Sequence, residues 1–293
     1  MGIRSFLGII ATLALALLSA CPQQPAGSTG SPAGTNPARP VSAPRSLNLV
    51  CDPLLVSLLE QLEPQLGPGL KGYELEAVER GALLERISAG ERFEGVDAFL
   101  IADAECRSAL VGAGLVSEAT LRSFAGDRLA LISKPDESWR APSLFDIYRL
   151  RFKWLAIGAE ETATGHYAAQ ALVSDGVMPR VEERLSRPPS AEAIIAELLD
   201  GQAQLAIVPR SRILGREDLR IVLLLDSELH MDFVYQAAAA SGLEDDPSVM
   251  ALLTGLAENE EIQALIAGYG FDDRREALGL NVAPGQDGDQ NSF

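Results

Sequence analysis

Cysteine and histidine are scarce in this 293-residue chain, with three of the first and two of the second. The cysteines form no CxxC pair, which excludes the spacing of zinc ribbons and of thioredoxin-like redox motifs. His166 and His230 have no ligand spacing between them, so no metal centre is expected. Aromatic residues make up 5% of the chain and are scattered, which argues against a stacked-sugar site. There is neither a Gly-rich phosphate loop nor a GxSxG turn. A catalytic role would rest on Asp52, Arg80 and His166 alone, so neither an enzyme nor a cofactor is expected. Positive charge is the minority: 24 Lys and Arg against 41 Asp and Glu leave a net −17. Such a surface repels phosphate and forfeits the main source of nucleic-acid affinity, so nucleic acid is set aside as a partner.

What is present begins with Arg4 and the apolar run "FLGIIATLALALL", too short and one-sided for a comfortable membrane span. It meets "LSAC", Leu18 to Cys21, which resembles a lipobox: small residues before a cysteine, directly after the apolar run. The resemblance implies cleavage before Cys21 and lipidation of its thiol, making residues 1–20 a lipoprotein signal peptide. A plain secretory signal with a chance cysteine and a retained anchor are the alternatives. Pro22 to Arg45 is rich in Pro, Gly and Ser and almost free of aliphatics, so it cannot bury enough surface to order itself. Residues 21–45 read as a lipidated cysteine and a disordered tether spanning roughly 25–30 Å as a flexible coil. The expected location is the cell envelope, with the protein membrane-anchored and its body in the periplasm or extracytoplasmic space.

From Ser46 onward strand and helix signals alternate. "LNLVC" is a short apolar run, and "PLLVSLLEQLEPQL" places Leu54, Leu55, Leu58, Leu59, Leu62 and Leu66 at helical spacing. "YELEAV", "VDAFLIAD" and "RLALIS" read as strands, separated by the helical segments "GALLERISAG" and "AECRSALVGAGL". The charged and aromatic stretch "KPDESWRAPSLFDIYRLRF", with Trp139 followed by Trp154, interrupts this rhythm and reads as packing at the passage to a second lobe. The pattern then restarts through "KWLAIG", "SAEAIIAELLDG" and "AQLAIVP" to one long helix from about Pro247 to Gly268 and a polar tail. The βαβαβα order implies an α/β fold with mainly parallel sheets flanked by helices. The boundaries read as 46–135 and 232–280 for lobe 1, 136–231 for lobe 2 and 281–293 for a disordered tail. Ligands of such sheets bind outside the carboxyl ends of the strands, here in the cleft between lobes.

"GALLERISAGERFEGVDAFLIAD", "LAIGAEETATGHYAAQAL", "AELLDGQAQLAIVP" and "LIAGYGF" together resemble the molybdate-binding proteins of ABC importers. These are two-lobed, type II periplasmic solute-binding proteins, and the likeness runs from Leu47 to Phe271. It implies a cleft that closes on a dehydrated oxyanion, a monomer, and an ABC permease as partner. The family's first serine maps to Pro53 and its second to Arg80, before Gly81. Its second-lobe backbone donors map near Thr164 and Ala191, and its tyrosine to Pro209. All three side-chain donors are therefore replaced, which implies an altered ligand, either a molybdate-like oxyanion or a carboxylate. A degenerate envelope lipoprotein with an interaction role and no transported ligand is the alternative.

"CDP" at 51–53 carries a physical argument of its own. Asp52 before Pro53 is a strong helix opening, and its carboxylate would take an N–H that an anion needs. Two anions about 4 Å apart repel by about 4 kcal/mol at an effective dielectric of 20. Arg80 then either grips an anion bidentately, pairs with Asp52 and plugs the site, or points to solvent. Arg210, after Pro209, is a second cation at a strand tip, and His166 sits in the first turn of a helix near the cleft. Asp103 reads as a helix cap. Cys51 and Cys106, after neighbouring strands, form either a disulfide beside the cleft or two buried thiols.

Overall fold

A computed structural model describes residues 44–66, 69–230, 233–274 and 278, all within the compact unit Val41–Phe293. The expected signal peptide, Cys21 with the tether up to residue 43, and the tail from 281 to 293 lie outside the described residues.

The first sheet is built on two apolar runs, Leu47–Cys51 and Ala98–Ile101, that are buried almost throughout, with the largely exposed Tyr73–Ala77 as its edge. β1 (Leu47–Cys51) lies between β2 (Tyr73–Ala77) and β3 (Ala98–Ile101), parallel to both. Cys51 stands opposite both Ala77 and Leu100, so the three strands end together. At that edge start the turn Pro53–Leu55 leading into α1 (Val56–Leu62), then α2 (Arg80–Ser88) and α3 (Ala104–Gly112). The six leucines read as one stripe, 54 to 66, are all buried. α1 covers one face of the sheet, whereas Leu83 and Ile87 of α2 pack with Leu110 of α3 on the other.

The second sheet holds β5 (Leu129–Ser133), β6 (Leu155–Ala156), β7 (Leu185–Ser186), β8 (Leu205–Pro209) and β9 (Arg220–Leu224), in the order β7-β6-β8-β5-β9. α4 (Ala163–Ser174) follows β6, a short α5 (Met178–Val181) leads to β7, and α6 (Ala191–Leu199) follows β7. The chain then returns, and the first sheet is completed by β4 (Arg122–Gly126), β10 (Val234–Ala239) and β11 (Asp272–Asp273), in the order β11-β4-β10-β3-β1-β2.

The lobes are thus two mixed sheets flanked by helices, the expected α/β architecture with more antiparallel pairing than a βαβ reading implies. The antiparallel pairs all involve β4, β5, β10 or β11, the strands at the crossings between lobes and at the end of the described chain. The first boundary needs correction. Residues 129–133 read as part of lobe 1, but β5 pairs with β8 and β9 of the second sheet. The passage occurs over Asp127 and Arg128, and the return comes after Leu225 and before Phe233. The two crossings are tied together by Asp127 N–H donating to the Phe233 carbonyl at 2.9 Å and Leu225 N–H to that of Leu129 at 2.8 Å. The long helix expected at 247–268 is two, α7 (Pro247–Glu258) and α8 (Glu260–Gly268). Asn259 breaks it, because its side chain accepts from the N–H groups of Glu261 and Ile262 and starts a new helix.

Cys51 and Cys106 are free, buried thiols, which corrects the disulfide reading. The reason is topological: Cys51 points into the α1 side of the sheet, Cys106 into the α2–α3 side with Val50 and Phe99. Burial pushes both thiols well up, so neither is a reactive thiolate. A Cys21→Ser variant, denatured without reductant, is expected to titrate two thiols per chain. A count of zero contradicts the placement.

Candidate functional site

Because β1, β2 and β3 end in register, the starts of three helical segments converge on one edge. Asp52, 7% exposed, caps the turn at Pro53: its Oδ1 accepts the Leu54 N–H at 2.9 Å. Asp103 caps α3, accepting from Glu105 and Cys106 N–H at 2.9 Å each. Both caps are the ones expected from sequence.

Arg80, the first residue of α2, is buried at 9% exposure and does not meet Asp52. Its Nε lies 3.2 Å from Asp103 Oδ2, and its Nη2 donates to Glu105. Neither the Asp52 plug nor the solvent-facing reading holds. α2 and α3 share one face of the sheet, so the guanidinium reaches the α3 acids, while Asp52 opens the segment that covers the other face. Asp52 has Arg212 as its nearby cation instead. Arg212 Nη2 donates across the cleft to the Leu54 carbonyl, and its Nη1 lies 3.6 Å from Glu192.

Gly81 carries the second link between lobes. Its N–H, in the first turn of α2, donates to the Glu161 carbonyl at 2.8 Å. A Cβ here would stand 2.9 Å from Glu161 Cβ, so only glycine permits this approach. A third link is Tyr167 Oη, which donates to the Ala102 carbonyl at 2.9 Å. In the second lobe Thr164 is buried in the first turn of α4, and the Thr162 hydroxyl accepts Gly165 N–H at 3.0 Å. Ala191 opens α6, where Ser190 Oγ accepts Ala193 N–H at 3.1 Å. Pro209 ends β8, and Arg210 turns away from the cradle to the Gly270 carbonyl at 3.2 Å and to Asp272 at 2.5 Å.

His166, which also lies on α4, lines a cavity of about 540 Å³ with Gln170, Glu160, Glu228 and His230. Its Nε2 is 2.9 Å from Gln170 Nε2, and burial together with nearby Arg80 lowers its pKa. Trp139 packs against the core, while Trp154 is 37% exposed. Sequence reasoning passed over Arg212, Tyr167, Glu161 and Asp127. Arg212 sits in the same "PRSR" turn as Arg210, and Tyr167 is the one large residue on a helix face of Ala163, Ala168 and Ala171, so both left a trace. Glu161 acts through its backbone and left none.

The site is acidic. Burial pushes the Asp52 carboxyl up to about 6 against the pull of Leu54 N–H and Arg212, and burial with the Asp52 and Glu192 charges pushes Glu79 up to about 7. At the crossing, burial pushes Asp127 up to about 7 although Arg128 and Ser211 donate to it. Such groups hold protons in the folded chain that they release in the unfolded one. Their stabilisation is complete below the ordinary carboxyl range near 4 and is lost as pH rises through 6 to 7. Asp52→Asn keeps a capping oxygen and removes this titration. Between pH 5 and pH 8, urea unfolding of the parent chain is expected to lose about 1.4 kcal/mol more than that of the variant. Equal losses contradict the assignment.

The family model for bacterial extracellular solute-binding proteins matches residues 67–272. No curated protein matches the chain in sequence. Among solved structures, a periplasmic molybdate-binding protein from Azotobacter vinelandii superposes with a TM-score of 0.61 at 17% identity, over 77% of this chain and 98% of the other. A sulfate-binding protein from Mycobacterium tuberculosis gives 0.60 at 12% identity, over 82% and 92%. A tungstate-binding protein from Desulfovibrio alaskensis gives 0.57 at 15% identity, over 76% and 93%. Identities this low carry the fold alone, and they carry it over nearly the whole length of each relative. With the match over residues 67–272, the chain belongs to the bacterial extracellular solute-binding protein family.

Proposed function

We propose that this protein is a lipid-anchored, extracytoplasmic solute-binding protein of an ABC importer whose ligand is not a molybdate-type oxyanion. The carrying observation is that two backbone donors of the first-lobe cradle are taken by the protein itself: Leu54 N–H by Asp52 and Gly81 N–H by Glu161. An oxyanion would have to displace a carboxylate and a carbonyl while facing Asp52, Asp103 and Glu105. The local cations are already engaged, Arg80 by Asp103 and Glu105 and Arg212 by the Leu54 carbonyl and Glu192. The family and the fold of the oxyanion-binding relatives support the binding-protein role, and the "LSAC" stretch supports an anchor at Cys21. In this reading Pro53, Thr164, Ala191 and Pro209 shape the cradle without supplying it a side-chain charge, and the two lobes hinge at 127–128 and 225–230.

A second reading has its own observation. The lobes are bonded directly by Gly81 to Glu161, Tyr167 to Ala102 and Arg212 to Leu54, as a permanently shut interaction protein without a transported ligand would be. Thermal unfolding separates the possibilities. Molybdate, tungstate and sulfate are expected to leave the midpoint unchanged, since a ligand at 100 times its Kd would add about 2.7 kcal/mol. A rise with molybdate contradicts the altered specificity, and silence toward every small solute favours the second reading. Detergent phase partition is expected to move the protein from the detergent phase to the aqueous phase on Cys21→Ser. An unchanged partition contradicts the anchor.

A further inference from the structure

Beside the closed cradle, two cavities meet along the crossing segment 227–230. One, about 560 Å³, is walled by α3, β4 and β10 of the first lobe, and the other, about 540 Å³, by α4 of the second. Glu228 and His230 line both. Each volume lies within the ordinary range for small-molecule sites, and a ligand there would touch both lobes and the crossing between them.

The charges in this space are unusual for so acidic a chain. Arg107, on the first-lobe wall, makes no ion pair among the described residues. Among the described residues its one side-chain hydrogen bond is a long one, 3.4 Å, to Gln236 Oε1. Gln236 in turn donates from Nε2 to Ser123 Oγ at 3.1 Å, leaving the hydroxyl proton free to donate into the cavity. In the cleft the other arginines, Arg80, Arg210 and Arg212, each have a carboxylate within 4 Å. Across the same cavity Glu228 is exposed and is likewise without an ion pair among the described residues. Arg107 and Glu228 therefore line one cavity as opposite charges that do not neutralise each other. A plain anion placed there meets Glu228, and a plain cation meets Arg107. A molecule carrying both charges satisfies both walls. Beyond Glu228 the second cavity is partly apolar, with Ala169, Val173 and Leu229, which suits a side chain.

We infer that this paired cavity binds a small zwitterion of the α-amino-acid type, its carboxylate on Arg107 and Ser123 and its ammonium on Glu228. The inference rests on the binding-protein reading above and supplies its ligand class. Isothermal titration of the full chain with a panel of free α-amino acids tests it, beside the matching amines and carboxylic acids that carry one charge each. At least one amino acid is expected to bind, its single-charge analogues about 10- to 100-fold more weakly. Arg107→Gln and Glu228→Gln should each weaken it by a similar factor without moving the unfolding midpoint of the free protein. Absence of binding by every amino acid overturns the site, as does equal binding by the lone acid or by either variant. If molybdate is also silent, that failure removes the zwitterion site and leaves the closed cradle in place; binding of molybdate removes the closed cradle itself.

Discussion

The hydrogen bond from Gly81 N–H to the Glu161 carbonyl organises the cleft. It uses an N–H from the first turn of α2, a group that a helix start ordinarily offers to an anion. It also draws the second lobe to within side-chain contact of the first. The bond depends on a bare Cα at position 81 and on the sharp fold of 158–162. Gly165 permits that fold, since a Cβ there would lie 1.9 Å from the Ala159 carbonyl oxygen. Tyr167 and Arg212 then bind first-lobe carbonyls at Ala102 and Leu54, so three contacts from three second-lobe segments hold the same closed arrangement.

Charge follows from this closure. With the lobes together, Asp52 and Asp103 are buried at the strand tips, Asp52 met by Leu54 N–H with Arg212 nearby and Asp103 by the N–H groups of Glu105 and Cys106 with Arg80. A carboxylate so placed does chemically what a bound anion would do: it accepts the helix-start N–H bonds and answers the guanidinium. Solute-binding architecture is retained, and the place of the oxyanion is filled by the protein's own oxygens. The unneutralised pair Arg107 and Glu228 lies outside this arrangement, where the space between the lobes remains.

Much of the fold was legible because the sequence is locally consistent. The leucine stripe at 54–66, the buried run at 98–101 and the caps Asp52 and Asp103 each follow from spacing and capping chemistry alone. The lobe passage is hard to place because two residues, Asp127 and Arg128, suffice to change sheets, and nothing in "FAGDRLAL" marks which sheet a strand joins. The partner of Arg80 and the state of the cysteines escape sequence reasoning for one shared reason. Strand order places the tips of β1 and β3 side by side, yet it does not reveal that α1 covers one face and α2 with α3 the other. A residue at one tip and one in the helix that follows the next can therefore lie on opposite faces, as Cys51 and Cys106 do. The backbone contribution of Glu161 was beyond reach, since no side-chain type encodes a carbonyl's direction.

The central claim is that the α2 donor is occupied from within, and hydrogen exchange at the Gly81 amide reports on it directly. In the ligand-free protein this amide is predicted to exchange slowly, and its rate is predicted not to change when molybdate is added. Fast exchange that becomes slow only with molybdate would show the donor waiting for an oxyanion and would contradict the account.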